Sequence, residues 1–125
     1  MQTMKFSHLW DKLKDPEFTT IRSWTQEKED YYESWLASEF QVWKCSDRYP
    51  FRREHVLFHA FLADMQVLEP IKIPSDLILK DVQLNGIPDQ KWIDKIMKMD
   101  KCIVLTFARY PVNSISKQAK LEVEA

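Results

Sequence analysis

Residues 55–68 read HVLFHAFLADMQVL, and the fold of the chain depends on whether this stretch is a helix or a strand. Its apolar residues Leu57, Phe58, Phe61 and Leu62 have the spacing of one face of an amphipathic helix. A strand that is covered on both faces carries a similar density of apolar residues. Periodicity therefore favours a helix but leaves the strand open, and the neighbouring sequence has to decide between them.

Three other segments predict strands. FTTIRSW at 18–24, FQVWKCS at 40–46 and CIVLTFARY at 102–110 are rich in β-branched and aromatic residues, which are the types that strands prefer. The segment at 102–110 predicts a strand most strongly of the three. The chain therefore contains the material for a sheet whichever way residues 55–68 fold.

Short helices are predicted between these strands. Thr25 and Ser75 are candidate N-caps, because their hydroxyls can accept hydrogen bonds from the amides of a first helical turn, and Asn85-Gly86 predicts a turn. Apolar residues at helical spacing predict helices over 6–14, 25–40, 75–84 and 88–100. Strands and helices in this order predict a small α+β domain.

The composition restricts the class of protein. The length of 125 residues is that of a single domain. Five tryptophans, four tyrosines and seven phenylalanines supply enough apolar area for a folded core. The chain has one glycine, Gly86, which excludes nucleotide sites built on a glycine-rich phosphate loop.

Charge and cysteine content give no direct sign of a partner. The net charge is −1, from 18 basic and 19 acidic residues, so the chain lacks the overall basic excess typical of nucleic-acid binders. Cys45 and Cys102 lie in apolar surroundings, where a cysteine acts as a small buried hydrophobic residue, and we expect no disulfide.

The sequence predicts a cytoplasmic protein without a membrane partner. The opening residues MQTMKFSHLWDKL lack the apolar core and the cleavage site of a signal peptide. No run of the chain approaches the roughly 18 consecutive apolar residues that predict a membrane span.

The order of elements resembles the ASCH group of the PUA-like superfamily. The resemblance is carried by FTTIR with its Thr20-Ile21-Arg22 triplet, by HVLFHAFLADMQVLEPIKIPSDLILKDV, and by the closing KCIVLTFAR, and it spans roughly residues 4–110. It implies a small mixed β-barrel flanked by short helices, with residues 56–68 as a barrel strand rather than a helix. It also implies one domain over 1–110, followed by a tail or edge segment over 111–125.

The resemblance has consequences for function as well. Members of this superfamily mostly bind RNA, and a few act on modified nucleosides. The hydrolytic members resemble one another in a lysine three positions before the motif threonine, where this chain has Glu17. The chain also has Ser38-Glu39 where the family often has a glycine. The resemblance thus implies binding of RNA, tRNA included, or of a nucleotide, and leaves hydrolysis as an alternative.

Arg22 is the first candidate for a ligand contact. Its planar guanidinium can bind a phosphate or a base edge through two hydrogen bonds, although an internal ion pair would explain it equally well. Thr20 can offer a hydroxyl to the same ligand, and Trp24 can stack on a base. The plainer interpretation is β-propensity for Thr20 and burial for Trp24.

A second candidate surface combines arginines with aromatic residues. Guanidinium groups beside aromatic rings are suited to a single-stranded nucleic acid, through phosphate contacts and base stacking, whereas the alternative is a solvated loop. The candidate nucleic-acid contacts here are Lys44, Arg48, Tyr49, Arg52 and Arg53.

Candidates for catalysis and metal binding are few. Thr20 and Glu69 are the weak catalytic candidates for a hydrolase, while Asp81 is interpreted as a helix-end or turn residue. His55 and His59 would share a metal on a helix, but on a strand they stand ~13 Å apart, at about 3.3 Å per residue. We therefore predict no metal and no cofactor. Trp10, Trp35 and Trp92 lie on apolar stripes and are predicted to be core.

Three functions remain open. The first is an RNA- or nucleotide-binding domain with a cleft formed by Arg22, Trp24 and the loop 48–53. The second is a hydrolase for a modified nucleoside. The third is a protein-interaction domain, which the near-neutral charge favours and the Thr-x-Arg triplet does not. Neither the oligomeric state nor the particular RNA can be predicted.

Overall fold

Five strands form one mixed sheet in the computed structural model, which describes residues 2–48, 50 and 52–111. Strand β1 pairs parallel with β3, and every other pairing in this sheet is antiparallel. The strands in spatial order are β1 (Gln2–Phe6), β3 (Glu39–Cys45), β4 (Arg53–Leu68), β7 (Cys102–Ala108) and β2 (Glu17–Ser23). A two-stranded hairpin is formed by β5 (Gln83–Leu84) and β6 (Ile87–Pro88).

Residues 55–68 belong to a strand, β4, and not to a helix. It is 16 residues long and pairs with β3 on one side and β7 on the other, so the prediction of a strand over 56–68 is confirmed. The predicted strands at 18–24, 40–46 and 102–110 are confirmed as β2, β3 and β7. Six of the seven residues of β7 are buried, which explains its continuous apolar sequence.

The sheet curls so that its two edge strands approach each other. The rings of Phe6 in β1 and Phe18 in β2 meet edge to face at 6.2 Å. The Arg22 side chain in β2 donates a hydrogen bond to the backbone oxygen of Lys5 in β1 at 3.0 Å. No hydrogen-bonded ladder joins β1 to β2 within residues 2–48, 50 and 52–111, so a closed barrel is not formed there.

In the part of the chain that the structure describes, three α-helices and two short 3₁₀ helices connect the strands. They are α1 (Gln26–Ser34), α2 (Ser75–Asp81) and α3 (Gln90–Met97), and the 3₁₀ helices Asp11–Lys14 and Pro70–Lys72. Thr25 caps α1, as predicted, by accepting a hydrogen bond from the Lys28 amide at 3.1 Å. Asn85 and Gly86 form the predicted turn with φ values of 53° and 81°, a left-handed conformation that Asn-Gly pairs favour.

Three predictions about the helices are wrong. Residues 6–14 do not form one amphipathic helix: Phe6 ends β1, and only Asp11–Lys14 is helical. Ser75 is the first residue of α2 rather than its N-cap, because Pro74 takes that position. Trp35 is not core, since it ends α1 with 36% of its surface exposed.

The remaining predictions on organisation have mixed outcomes. Cys45 and Cys102 are buried and unpaired, as expected. No helix in the described part of the chain is long and apolar enough to cross a membrane. The segment 111–125 lies, apart from Pro111, outside the described residues.

Candidate functional site

A cavity of about 270 Å³ lies where the two sheet edges approach. We call it the edge cavity. Its walls come from the end of β1, the first 3₁₀ helix, the second half of β2, the C-terminal end of α2, and α3. Its polar lining comprises Lys5, Ser7, Lys12, Thr20, Arg22, Ser23, Lys28 and Asp81, and its apolar lining includes Phe6, Trp10 and Trp92.

Arg22 connects the two edge strands β1 and β2 inside the cavity. Its Nε donates to the Thr20 hydroxyl at 3.1 Å, a contact that strand geometry favours because residues two apart share a face. Its Nη2 donates to the Lys5 carbonyl and contacts Met4 Sδ at 3.4 Å, and the guanidinium lies 5.1 Å from the centre of the Phe6 ring. Burial lowers the pKa of Arg22, but an arginine remains charged at neutral pH.

A buried ion pair forms another wall of the cavity. Lys12 Nζ donates to Asp81 Oδ1 at 2.7 Å, with 2% and 5% of the two side chains exposed. Asp81 Oδ2 also accepts from the Ile21 amide at 3.4 Å, which ties the end of α2 to β2. Burial lowers the pKa of Lys12 to about 8, although the Asp81 carboxylate opposes this shift. Burial also raises the pKa of Asp81.

Aromatic side chains supply the apolar wall. The Trp10 ring is stacked on the His8 ring with the centroids 5.0 Å apart, and it meets the Trp92 ring edge to face at 5.8 Å. Lys95 lies over the other tryptophan, with its Nζ 4.4 Å from the centre of the Trp92 ring. Trp10 is buried, as predicted, while Trp92 is half-buried and borders the cavity.

The structure brings two of the predicted site residues together and places two others elsewhere. Thr20 and Arg22 both line the edge cavity. Trp24 lines a neighbouring recess instead, where Lys101 Nζ lies 4.8 Å from the centre of its ring. Glu69 is exposed just before the second 3₁₀ helix and does not line the cavity.

The predicted basic loop forms a separate surface one strand away. Lys44 pairs in register with Phe6 of β1, and its Nζ forms an ion pair with Glu54 at 3.0 Å. The Arg53 guanidinium lies 5.1 Å from the centre of the Trp43 ring. Arg48 and Arg52 are exposed. Tyr49 lies outside the described residues.

His55 and His59, the histidine pair considered for a metal, lie apart on one strand. His55 and His59 both lie on β4, where the four-residue spacing separates them, and His59 contacts Glu39 at 2.6 Å. Among the residues that the structure describes, no group of three or more histidine, cysteine or acidic side chains could hold a metal ion.

Lys12 and Asp81 are the site residues that sequence reasoning missed. Lys12 was not singled out from the sequence, and Asp81 was expected at a helix end or turn. Asp81 does end α2, but it is buried and paired with a residue 69 positions away. The available signal was the position of Lys12 between Trp10 and Leu13, which are both core residues.

Comparisons with family models, curated proteins and solved structures returned no match. The chemistry of the edge cavity is therefore the basis for assigning a function.

Proposed function

We propose that the chain is an RNA- or nucleotide-binding domain of the PUA-like, ASCH type, and that the edge cavity binds one nucleotide unit. The observation that carries this proposal is the half-buried Arg22 guanidinium inside a cavity with aromatic walls. A nucleotide presents an anionic phosphate beside a flat base, so it requires a cation and an aromatic or apolar surface in one site. The curled sheet is, in this proposal, the small mixed barrel of that family, with Arg22 spanning its gap.

Arg22 keeps donors that a ligand can use. Its hydrogen bonds to described residues are made by Nε and Nη2. A guanidinium has five N–H donors, so the two on Nη1 can donate to a phosphate oxygen or a base edge. Hydrogen bonds of this charge-assisted kind are roughly twice as strong as neutral ones.

The charge of the lining favours an anion. Four cationic side chains and one carboxylate line the edge cavity. Lys12 and Asp81 neutralise each other within their ion pair, which leaves Lys5, Arg22 and Lys28 in excess. This positive excess is local, because the whole chain has a net charge of −1.

The size of the cavity limits the ligand. At about 270 Å³ it is slightly smaller than the roughly 300–1,000 Å³ typical of small-molecule pockets. It has room for one nucleotide unit, free or within a chain, and not for a duplex.

A second candidate is the hydrolase, and the buried lysine favours it. With a pKa of about 8, Lys12 is partly neutral near pH 7 and able to accept a proton, as a general base must. Lys12 thus supplies a lysine that the sequence lacks at Glu17, and Thr20 lines the same cavity. In the hydrolysis of an N-acylated nucleoside, water adds to the acyl carbon, the C–N bond breaks, and the amine leaves with the proton.

The test is titration of the purified protein with the four nucleoside monophosphates and pooled tRNA at ~50 and ~200 mM salt. We expect saturable, salt-weakened binding, and a loss of at least about tenfold in Arg22→Ala, because a hydrogen bond to a charged group contributes about 1.5–3 kcal/mol. Lys72→Ala is the control, since Lys72 is exposed and outside the cavity. It should bind like the wild type.

Two results would decide between the candidates. Folded wild-type protein that binds none of these ligands at ~50 mM salt would rule out the nucleotide site. Incubation with N-acylated nucleosides, followed by product analysis, tests the hydrolase: turnover that is lost in Thr20→Ala but kept in Thr20→Ser would establish it, and the absence of product would exclude it.

A further inference from the structure

Two recesses adjoin the edge cavity. The Trp24 recess is lined by Ser23, Trp24, Lys98, Met99, Asp100 and Lys101, and it shares Ser23 and Met99 with the edge cavity. The tyrosine recess is lined by Thr25, Glu27, Lys28, Tyr31 and Tyr32, and it shares Lys28 with the edge cavity. The shared lining residues place the three depressions next to one another, and we call them together the groove.

Each recess combines a partly exposed aromatic ring with a lysine. The Trp24 ring is held in place by the hydrogen bond from its Nε1 to Glu29 at 2.9 Å, and Lys101 lies 4.8 Å from its centre. In the other recess the rings of Tyr31 and Tyr32 meet edge to face at 5.1 Å, and Tyr31 is 39% exposed. Aromatic rings beside cations along a groove are the recurring design of single-strand nucleic-acid sites.

The charge along the groove supports a polyanion. Six cationic side chains (Lys5, Lys12, Arg22, Lys28, Lys98 and Lys101) and three acidic ones (Glu27, Asp81 and Asp100) line the three depressions. A further cavity, which also borders the Lys12–Asp81 pair, is lined by two lysines and three acidic residues instead. A phosphate backbone is therefore attracted along the groove and not into that further cavity.

We propose that the ligand of this site is a single-stranded RNA segment of at least three nucleotides. The central nucleotide occupies the edge cavity, and its two neighbours stack in the Trp24 recess and the tyrosine recess. This inference rests on the proposed function, since it assumes that the edge cavity binds a nucleotide. It adds the class of ligand, which is an RNA strand rather than a free mononucleotide.

The test compares mononucleotides with trinucleotides of the same base. Stacking on each aromatic side chain is expected to tighten binding between about fivefold and about a hundredfold. The slope of log affinity against log salt should become steeper by about 0.7 for every additional phosphate contacted. Titrations at several salt concentrations measure both quantities.

A double variant isolates the Trp24 recess. Lys98→Ala with Lys101→Ala removes two exposed cations that the edge cavity does not use, so trinucleotide affinity should fall about fivefold or more while mononucleotide affinity stays unchanged. The matched control is Lys72→Ala with Lys91→Ala, two exposed lysines outside the groove, which should leave both affinities unchanged. Trp24→Ala, if it folds, should reproduce the loss for the trinucleotide.

The possible failures are distinguishable. Mononucleotide binding without a gain for the trinucleotide would overturn the groove and leave the proposed function standing. An equal loss of trinucleotide affinity in the two double variants would also contradict binding along the groove, because the loss would then follow from the lower net charge alone. Absence of binding by both ligand lengths would overturn the proposed function and the groove together.

Discussion

Lys12 is the one lysine that is buried among the residues the structure describes. Lys12 has lost nearly all contact with water and is compensated by one carboxylate, Asp81. Burying a charged pair costs several kcal/mol per ion, and the attraction between the partners repays this cost only in part. An apolar pair would hold the same elements together, which is consistent with a role for the lysine in the cavity rather than in stability.

The stability of the fold should therefore depend on pH through Lys12. Burial lowers the pKa of Lys12 to about 8 from an ordinary value of 10.5, so between these values the unfolded chain holds a proton that the folded chain has lost. Stability rises with pH wherever the unfolded state binds more protons. The contribution of Lys12 is complete above 10.5 and is lost as the pH falls through 8.

Urea unfolding of wild type and Lys12→Met at pH 7 and pH 10 measures this effect. We expect the free energy of unfolding of the wild type to gain about 2–3 kcal/mol relative to the variant over that interval, at about 1.4 kcal/mol per pH unit. Lys14→Met removes an exposed neighbouring lysine and keeps Lys12. The free energy of unfolding of the wild type should therefore gain nothing relative to this variant over the same interval. A difference between wild type and Lys12→Met that is the same at both pH values would contradict a lowered pKa.

At the scale of elements, the turn that follows helix α1 contains an alanine in a backbone conformation that alanine disfavours. Ala37 has φ = 67°, in the left-handed region that costs an L-residue about 1–2 kcal/mol, and its amide donates to Leu62 O at 2.7 Å. Glycine usually occupies such positions after a helix. The single glycine of this chain is used in the β5–β6 turn instead.

Ala37→Gly should stabilise the protein by up to about 1 kcal/mol, because relief of the left-handed strain exceeds the added entropy of the unfolded chain. Chemical denaturation measures the change. Ala60→Gly is the matched control: Ala60 is buried in a regularly paired part of β4, where glycine weakens a strand, so this variant should be destabilised. A loss of stability in Ala37→Gly would show that the backbone there is not strained.

The elements differ in how far sequence could predict them. Strands β2, β3 and β7 follow from local residue preference, whereas β4 needed the resemblance, because its apolar spacing favours a helix. The prediction of a helix over 6–14 was wrong for a related reason. Leu9, part of its apolar stripe, is 52% exposed, while Met4 and Phe6 are buried with Lys5 exposed between them, the alternation of a strand only five residues long.

The candidate site was predictable only where it is local. Thr20 and Arg22 lie two residues apart on one strand, and their position was inferred from the sequence. Lys12 and Asp81 are 69 residues apart and meet only because α2 packs beside β2. The local sequence pattern carries no information about such a pairing. From the sequence alone, the two residues of a buried ion pair are therefore predicted to be ordinary surface charges.

At the scale of the whole molecule, the edge cavity lies at the gap in the sheet. Strands β1 and β2 are the two edges, and they are joined by side chains: the Phe6–Phe18 contact and the bonds of Arg22. A ligand in the cavity would contact both edges, together with α2 and α3. Ligand binding and opening of the β1 edge are therefore expected to be coupled.

Hydrogen exchange tests that coupling. A nucleotide that binds only the closed sheet should slow exchange of the β1 amides, by up to about a hundredfold at a concentration of 100 times Kd. The β5–β6 hairpin lies outside the cavity, and those of its amides that exchange by local opening should be unaffected. Arg22→Ala, with an affinity at least about tenfold lower, should show slowing of at most about tenfold at the same concentration. Protection that appeared in the hairpin and not in β1 would place the ligand elsewhere on the molecule.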